Sequence, residues 1–288
     1  MLERVLHPLL EQLPEDNLGQ LLGLRGLLHD LDRVCVAYSG GVDSTLVAAI
    51  AHEQLGEKAL AVTGISAALA PHLLEEARWQ ARWLGLQHRE CFTRELEDTL
   101  YSSNPENRCF ACKRELHRHL TVIAATVGEV QTVDGVNQDD LGDYRPGIEA
   151  ARLAGVRSPL AELGITKTSV RRISRALGMP WWDKPAQPCL ASRFPYGESI
   201  TAERLRQVGA AEGWLRECGI TEVRVRVQGL AARIEVPTDY IDSLLSPVLR
   251  SQITSRFRAL GFTSVSLDLE GLISGKLNRD LRVSDRRW

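Results

Sequence analysis

The chain has 288 residues, of which 44% are hydrophobic and 25% charged, and its formal net charge is -2. This length suits one large domain or two modest ones, and the near-neutral charge excludes a global basic field that would draw the protein onto nucleic acid or an acidic membrane. Because no apolar run approaches the roughly 18 residues of a membrane span and the N-terminal segment is acidic, unlike a signal peptide, we expect a cytoplasmic protein.

Helices and strands alternate through the first 135 residues. Helices are predicted near 2–12 and 18–30, and short apolar runs predict buried strands at 33–38, 58–65, 88–92 and 129–135. The segments between these strands predict helices at 44–55, 71–84 and 109–127. This order predicts an α/β fold, a doubly wound parallel sheet whose ligands lie beyond the carboxyl ends of the strands.

The pattern changes after about residue 195. Residues 201–217 and 239–260 are predicted as helices, whereas 223–228, 232–236 and 264–270 alternate between apolar and polar residues. Alternation with a period of two predicts an antiparallel sheet with one covered face. We therefore expect a doubly wound α/β domain over 1–195 and a smaller α+β domain over 196–288.

The first candidate site is a glycine-rich hexapeptide between the strand at 33–38 and the following helix. Its residues are Ser39, Gly40, Gly41, Val42, Asp43 and Ser44. Glycines allow a sharp turn, and a helix N-terminus offers free N–H groups to phosphate. The motif is not a Walker loop, since it lacks the lysine. The hexapeptide resembles the PP-loop of ATP pyrophosphatases, which implies cleavage between the α and β phosphates of ATP. We also expect Thr63, at the end of the second strand, to bind ATP.

A second candidate site follows the fourth strand. Residues 134–140 read DGVNQDD, and the motif continues through 143–147. Carboxylates beside a phosphate site need a cation between them, and Mg²⁺ is held in this way by carboxylates and phosphate oxygens. We expect Asn137 and Asp140 to take part in binding ATP and Mg²⁺, although a solvated acidic loop would show the same composition.

The cysteines divide into two groups. Cys35, Cys91 and Cys218 are predicted to be structural, and a disulfide framework is not expected in a cytoplasmic chain. Cys109 and Cys112 form a C-x-x-C pair at a helix start, and Cys189 lies between Lys184 and Arg193, whose charges would favour its thiolate. Three such cysteines suit a [4Fe–4S] cluster with one open iron. Zinc with His117 or His119, or three unrelated thiols, are the alternatives.

Arginines alternate with valines in the strand at 223–228. Arg224 and Arg226 share one face, and Arg233 and Glu235 lie on the polar face of the next strand. The late strand at 264–270 would add Asp268 and Glu270. Arginines bind phosphate or carboxylate in a bidentate manner, although a solvated sheet face would show the same pattern.

Taken in order, five segments resemble the LarE family, whose members build the nickel-pincer nucleotide cofactor of lactate racemase by ATP-dependent sulfur transfer. They are SGGVDS, DGVNQDDLGDYRPG, KPAQPCLASRFPYGESIT, VRVRVQGLAARIEV and DLEGLISGKLN. The resemblance spans residues 15–280. It implies a PP-loop ATP pyrophosphatase domain over 1–195 and a substrate-binding and oligomerisation domain over 196–288. It also implies adenylation and thiolation of a pyridinium dicarboxylate mononucleotide, and a homo-oligomer, a hexamer in the family.

The resemblance also assigns roles to residues. Cys189 matches the sulfur-handling cysteine, which one branch of the family sacrifices to give dehydroalanine. The presence of Cys109 and Cys112 places this chain in the branch that resembles cluster-dependent tRNA thiolases, so the catalytic set is Cys189, Cys109, Cys112 and Asp43. Glu212, Arg224, Arg226 and Arg193 match the positions that bind the substrate. An unidentified sulfur donor is implied as a partner.

Two other functions fit the same loop. A PP-loop tRNA thiolase would need a basic face, which the net charge of -2 does not favour. An ammonia-using PP-loop synthetase would need no cysteine trio. Iron and sulfide analysis distinguishes the ammonia-using synthetase from a sulfur transferase. Co-purification of tRNA would indicate the tRNA thiolase.

Overall fold

The computed structural model describes residues 13–126, 128, 130–142, 145–273, 275, 276 and 279, so the helix predicted near 2–12 lies outside the described residues. The chain forms two compact units. The first comprises Met1–Ser66, Pro71–Asp98 and Asn107–Gln187, and the second comprises Ala67–Ala70, Thr99–Glu106 and Pro188–Trp288. No helix among the described residues has the length and apolar character needed to cross a membrane.

The first unit is built on a four-stranded parallel sheet. Its strands are β1 (Val34–Ala37), β2 (Ala59–Ile65), β3 (Gln87–Phe92) and β4 (Gln131–Val133), in the order β3-β2-β1-β4. The chain builds outward from β1 to β3 and then returns to the other side of β1. This reversal places a topological switch point between β1 and β4, where ligands of such sheets bind. The predicted doubly wound α/β fold is confirmed.

Helices pack against this sheet. Those of the first unit are α1 (Glu15–His29), α2 (Val42–Leu55), α3 (Pro71–Leu84), α5 (Arg108–Ala125), α6 (Pro146–Leu153), α7 (Pro159–Glu162) and α8 (Lys167–Ala176), with α4 (Thr99–Ser102) belonging to the second unit. Helix α2 is buried along most of its length because α1 and α8 also pack on it. The last three helices of the first unit were not predicted, although Pro146 and Pro159 stand at helix starts, where proline loses no hydrogen bond.

The second unit contains α9 (Ala202–Glu217), β5 (Arg224–Gln228), β6 (Ala231–Glu235), α10 (Ile241–Leu245), α11 (Pro247–Ala259) and β7 (Ser264–Leu267). Strands β5 and β6 are antiparallel and turn at Gly229, which has a φ of 58°. Strand β7 pairs with β6 in parallel, so the fully antiparallel sheet that we predicted is wrong. Alternation of apolar and polar residues indicates only that one face of a strand is covered, and not the direction of the strand. The two helices between β6 and β7 return the chain to the end of the sheet at which β6 begins, so β7 runs parallel to β6.

The single helix predicted over 239–260 is also wrong. It is divided into a short 3₁₀ turn at Thr238–Tyr240 and the helices α10 and α11. The break falls at Ser246, which adopts an extended backbone immediately before Pro247. A proline disfavours helical geometry in the residue before it, and this explains the position of the break.

Candidate active site

The glycine-rich hexapeptide links β1 to α2 at the switch point of the sheet. Ser44 Oγ accepts a hydrogen bond from Ser39 N (3.2 Å), lies 3.0 Å from Ser39 Oγ and donates to Gly41 O (3.2 Å). Helix α2 begins after Gly41 without a side-chain cap. Its first N–H groups and the positive end of its dipole are therefore available to an anion, as a polyphosphate cradle requires.

Two glycines allow the loop to take this shape. Gly40 has a φ of 71°, and a Cβ at this position would lie 2.9 Å from Ala77 Cβ on α3. A Cβ on Gly135, just beyond β4, would lie 2.5 Å from Ser44 N. Only glycine fits at either position without a shift of the neighbouring backbone. The end of β4 therefore lies directly against the start of α2.

Asp43 in the first turn of α2 is held by two groups from distant segments. Its Oδ2 forms an ion pair with Lys167 Nζ, and its Oδ1 accepts a hydrogen bond from Asn137 Nδ2 (3.2 Å). The Asn137 amide is fixed because its Oδ1 accepts from the N–H groups of Asp139 (3.0 Å) and Asp140 (3.3 Å). The structure thus brings together the predicted residues Asp43, Asn137 and Asp140, and adds Lys167.

The acidic residues after β4 also serve the chain itself. Asp140 accepts a hydrogen bond from Asn137 N (3.1 Å) and pairs with Arg145 Nη2 (2.8 Å). Asp139 accepts from Lys167 N (2.8 Å). These bonds brace the 3₁₀ turn Gln138–Gly142 against the start of α8. The turn is therefore held in place by the chain itself, while Gln138, Asp139, Leu141 and Gly142 are exposed to solvent. The role of this loop in binding ATP and Mg²⁺ stays a prediction.

Two more side chains border the PP-loop. Lys184 Nζ lies 3.5 Å from Gly40 O and pairs with Glu76 on α3, although sequence considerations had placed Lys184 beside Cys189. Thr63 is buried, donates to Tyr38 O (2.9 Å) and lies 2.8 Å from His88 Nε2. Burial lowers the pKa of His88, so a neutral imidazole faces the hydroxyl. Thr63 thus braces β1 against β2 beneath the loop.

The sequence did not predict Lys167 at this site, and it indicated Lys184 only as a neighbour of Cys189. The loop itself supplies no lysine, and these two come from segments more than 100 residues away. A partial signal existed, because Thr166 is a typical N-cap and its side chain accepts a hydrogen bond from Ser169 N. The amphipathic spacing of Val170, Ile173 and Leu177 would have predicted α8, but not the contact that its first residue makes.

The cysteines proposed for sulfur handling lie at accessible positions. Cys109 is exposed and Cys112 half-buried, one turn apart at the start of α5 in the first unit, and Cys189 is exposed in the second unit. Within the described part of the chain, no group of three or more His, Cys, Asp or Glu side chains is arranged to hold a metal ion.

The remaining cysteines differ in exposure. Cys35 and Cys91 are buried in the apolar layer that α5 covers, and burial raises the pKa of Cys35 to about 12 and raises that of Cys91. Cys218 is exposed at the end of α9. None of the six cysteines, all of which are described, forms a disulfide. The first two are therefore inert structural thiols.

The second unit contains a buried cluster of arginines and glutamates. Arg193 is 3% exposed and makes a bidentate pair with Glu212, with Nε–Oε1 and Nη2–Oε2 distances of 2.8 and 2.9 Å. Glu212 Oε1 also accepts from Val225 N (2.9 Å). Arg226 donates to Glu235 Oε2 (3.0 Å) and to Ser192 O (2.6 Å). This face of the sheet is thus filled with ion pairs, and the solvated face that was the alternative is wrong at Arg226 and Glu235.

Arg224 is the exception in this cluster. Its side chain is half-buried and makes no hydrogen bond or ion pair with any described residue. Burial, Arg226 and Arg193 lower its pKa. Arg233 Nη2 lies 3.5 Å from Glu235 Oε1, and Arg233 Nε lies 3.2 Å from Asp268 Oδ2. Among Arg193, Arg224, Arg226 and Arg233, the guanidinium of Arg224 is thus the one without a described ion-pair partner, and such a group can bind an anion. The backbone of Cys189 is attached to the same cluster, since its carbonyl oxygen accepts a hydrogen bond from Arg193 Nη1 (3.3 Å).

A switch-point loop of this sequence, with an open helix N-terminus and the Asn137–Asp43 contact, defines an ATP pyrophosphatase of the PP-loop class. The sequence pattern of the asparagine synthase family matches residues 26–101, which include the loop. The chain is 38% identical to the pyridinium-3,5-bisthiocarboxylic acid mononucleotide synthase of Lactiplantibacillus plantarum, over 88% of this chain and 92% of that protein. It therefore belongs to the LarE family of ATP-dependent sulfur transferases.

Two further relatives show how far the similarity reaches. An uncharacterized protein of Synechocystis is 53% identical over 91% of this chain and 98% of its own length. The tRNA-specific 2-thiouridylase of Rickettsia felis is 27% identical over 53% of this chain and 52% of that protein. Similarity to the tRNA enzyme is thus confined to about half of each chain.

Proposed function

We propose that this protein thiolates the carboxylates of a pyridinium-3,5-dicarboxylate mononucleotide, at the expense of ATP, in the synthesis of a nickel-pincer nucleotide. The relationship to the Lactiplantibacillus plantarum enzyme over nearly the whole of both chains supports this substrate. The observation that carries the proposal is the guanidinium of Arg224, which has no described ion-pair partner and offers a place for the phosphate of a mononucleotide. It belongs to the arginine cluster to which the Cys189 carbonyl is hydrogen-bonded through Arg193.

The chain's own groups account for the first half of the reaction. The N–H groups at the start of α2 and the hydroxyls of Ser39 and Ser44 hold the β and γ phosphates. A substrate carboxylate oxygen attacks the α phosphorus, the bond to the β phosphate breaks, and pyrophosphate leaves as an anion stabilised by the loop. Mg²⁺, which PP-loop enzymes use with ATP, would be held by Asp43 and phosphate oxygens and would neutralise charge on the leaving group.

The second half of the reaction is sulfur transfer. A sulfur nucleophile attacks the carbonyl carbon of the acyl-adenylate, the bond to the phosphate oxygen breaks, and AMP leaves. We assign Cys189 to this stage because it is exposed and adjoins the arginine cluster. The [4Fe–4S] cluster on Cys109, Cys112 and Cys189 stays a prediction from the resemblance, as do the cytoplasmic location, the sulfur donor and the homo-oligomer.

Product analysis tests the function. Protein prepared without oxygen is incubated with Mg²⁺, ATP and the dicarboxylate mononucleotide. We expect AMP and pyrophosphate, together with a nucleotide in which sulfur replaces a carboxylate oxygen. ADP and phosphate, or AMP formed only when tRNA is supplied, would contradict the proposal.

Iron analysis and intact-mass measurement on the same samples decide the source of sulfur. Loss of the mass of H₂S at Cys189 in iron-free protein indicates a sacrificed cysteine. Bound iron with an unchanged polypeptide indicates the cluster, and Cys109→Ser or Cys112→Ser should then abolish iron binding. Cys218→Ser is the matched control, because this cysteine is also exposed and has no assigned role.

A further inference from the structure

The ion pair between Asp43 and Lys167 has a consequence for metal binding. Asp43 is the carboxylate of the PP-loop, and both of its oxygens already have partners within the chain, Lys167 at Oδ2 and Asn137 at Oδ1. Mg²⁺ requires oxygen ligands in a near-ideal octahedral arrangement. A divalent ion therefore cannot use Oδ2 of Asp43 while the Lys167 ammonium group is beside it.

Lys167 is placed at this position by its surroundings. It is the first residue of α8, its N–H donates to Asp139 Oδ2 (2.8 Å), and Thr166 caps the helix. The backbone is thus fixed while the side chain, which is 31% exposed, reaches the carboxylate of Asp43 in the first turn of α2. A lysine side chain has four flexible methylene groups, so its ammonium can change partner without movement of the helix.

Nucleotide binding offers the Lys167 ammonium group a second partner, because the polyphosphate is itself an anion. Before binding, the ion pairs are Asp43 with Lys167 and Mg²⁺ with ATP. After an exchange, they are Asp43 with Mg²⁺ and Lys167 with phosphate. Because Mg²⁺ stays on the phosphates, the exchange adds one opposite-charge contact, and no charge is left alone near the loop at either stage.

We propose that Lys167 is a positioning residue that occupies Asp43 until nucleotide arrives and then moves to the polyphosphate. The inference rests on the ATP chemistry of the proposed function, but not on its sulfur-transfer step. Divalent metal then enters this site only together with ATP. Lys167 in this way supplies, from a distant helix, the phosphate-facing cation that the loop sequence lacks.

The proposal is tested by titrating the nucleotide-free protein with Mn²⁺ and measuring bound Mn²⁺ by electron paramagnetic resonance. Lys167→Met removes the charge and keeps the apolar part of the side chain. Mn²⁺ should therefore bind to this variant with an affinity about tenfold or more above that of the unchanged protein, a difference equivalent to one charge-assisted contact. Adding Asp43→Asn to that variant should abolish the gain. In the unchanged protein, tight Mn²⁺ binding should require the α,β-methylene analogue of ATP.

Lys58→Met is the matched control, because Lys58 also pairs with a carboxylate of the first unit, Asp32. It should leave Mn²⁺ binding unchanged. Lys167→Met should also weaken binding of the metal-free nucleotide analogue. If Lys167 were only part of a structural ion pair, its loss would leave this affinity unchanged. Cooperative thermal unfolding of the variant shows that it is still folded. Unchanged Mn²⁺ affinity in Lys167→Met, or a gain that survives Asp43→Asn, would overturn the proposal. Neither readout depends on sulfur transfer, so failure of the proposed function would be seen separately.

Discussion

Arg224 differs from the other arginines of its cluster in what surrounds its guanidinium group. Arg193 and Arg226 are each paired with a buried glutamate, whereas Arg224 has no such partner among the described residues. Removing Arg193 would leave Glu212 as an unpaired buried charge and would damage the fold. Arg224 can therefore be changed with less effect on folding, and it is the residue through which substrate binding is best tested.

We expect Arg224→Ala to raise the KM for the mononucleotide roughly tenfold or more, because a charge-assisted contact to phosphate contributes about 1.5–3 kcal/mol. The KM for ATP should change little, because the loop at 39–44, and not Arg224, is proposed to hold the ATP phosphates. Steady-state kinetics with each substrate varied in turn measure both values. Arg250→Ala, an exposed arginine on α11, is the control. An equal loss of ATP binding would show that Arg224 serves another ligand.

At the scale of elements, the position of α2 relative to β4 depends on the absence of one side chain. A Cβ on Gly135 would meet Ser44 N at 2.5 Å and Ser44 Cα at 2.8 Å, both of them backbone atoms that cannot rotate away. Relief requires that β4 and the start of α2 separate. Such overpacking typically costs about 1–3 kcal/mol.

We therefore expect Gly135→Ala to lower the affinity for ATP about tenfold, because the N–H groups of the loop no longer converge on the phosphates. Isothermal titration with the α,β-methylene analogue measures this change. Gly26→Ala is the matched control, since it lies inside α1 and a Cβ there meets nothing within 4 Å. The control should raise stability by about 0.5–1 kcal/mol and leave affinity intact. Equal affinities in the two variants would contradict the role given to this contact.

Apolar runs and glycine stops were sufficient to predict the four parallel strands and the helices that follow the first three. They could not predict contacts between segments far apart in the sequence. Lys167 lies 124 residues from Asp43, and no local pattern signals such a pair. The direction of β7 was also not predictable, since parallel and antiparallel strands with one covered face alternate alike. The break at Ser246-Pro247 does have a local signal in the sequence, namely the proline itself.

For the molecule as a whole, His117 is expected to make the free energy of unfolding depend on pH. It lies on α5, is 2% exposed, and its Nδ1 has no hydrogen-bond partner among the described residues. Burial, aided by the charge of Lys113, lowers its pKa to about 4 from the usual 6.5. Between these two values the unfolded chain holds the proton and the folded one does not, so acidification favours unfolding.

We accordingly expect the free energy of unfolding to fall as the pH is lowered from about 6.5 to about 4. Urea titrations at a series of pH values measure this slope. His117→Gln should reduce the slope, whereas His29→Gln, a change at the exposed end of α1, should preserve it. If both variants kept the full slope, the acid sensitivity would belong to carboxylates and not to the buried imidazole.

The exchange of partners at Asp43 also bears on how this protein can change over generations. A substitution at Lys167 alone leaves a carboxylate beside the phosphate cradle without its counter-ion, and a substitution at Asp43 alone leaves the ammonium group in the same condition. Each single step harms both the empty and the nucleotide-bound protein. We therefore expect the two positions to change together among related proteins, and a descendant that abandons ATP to lose both.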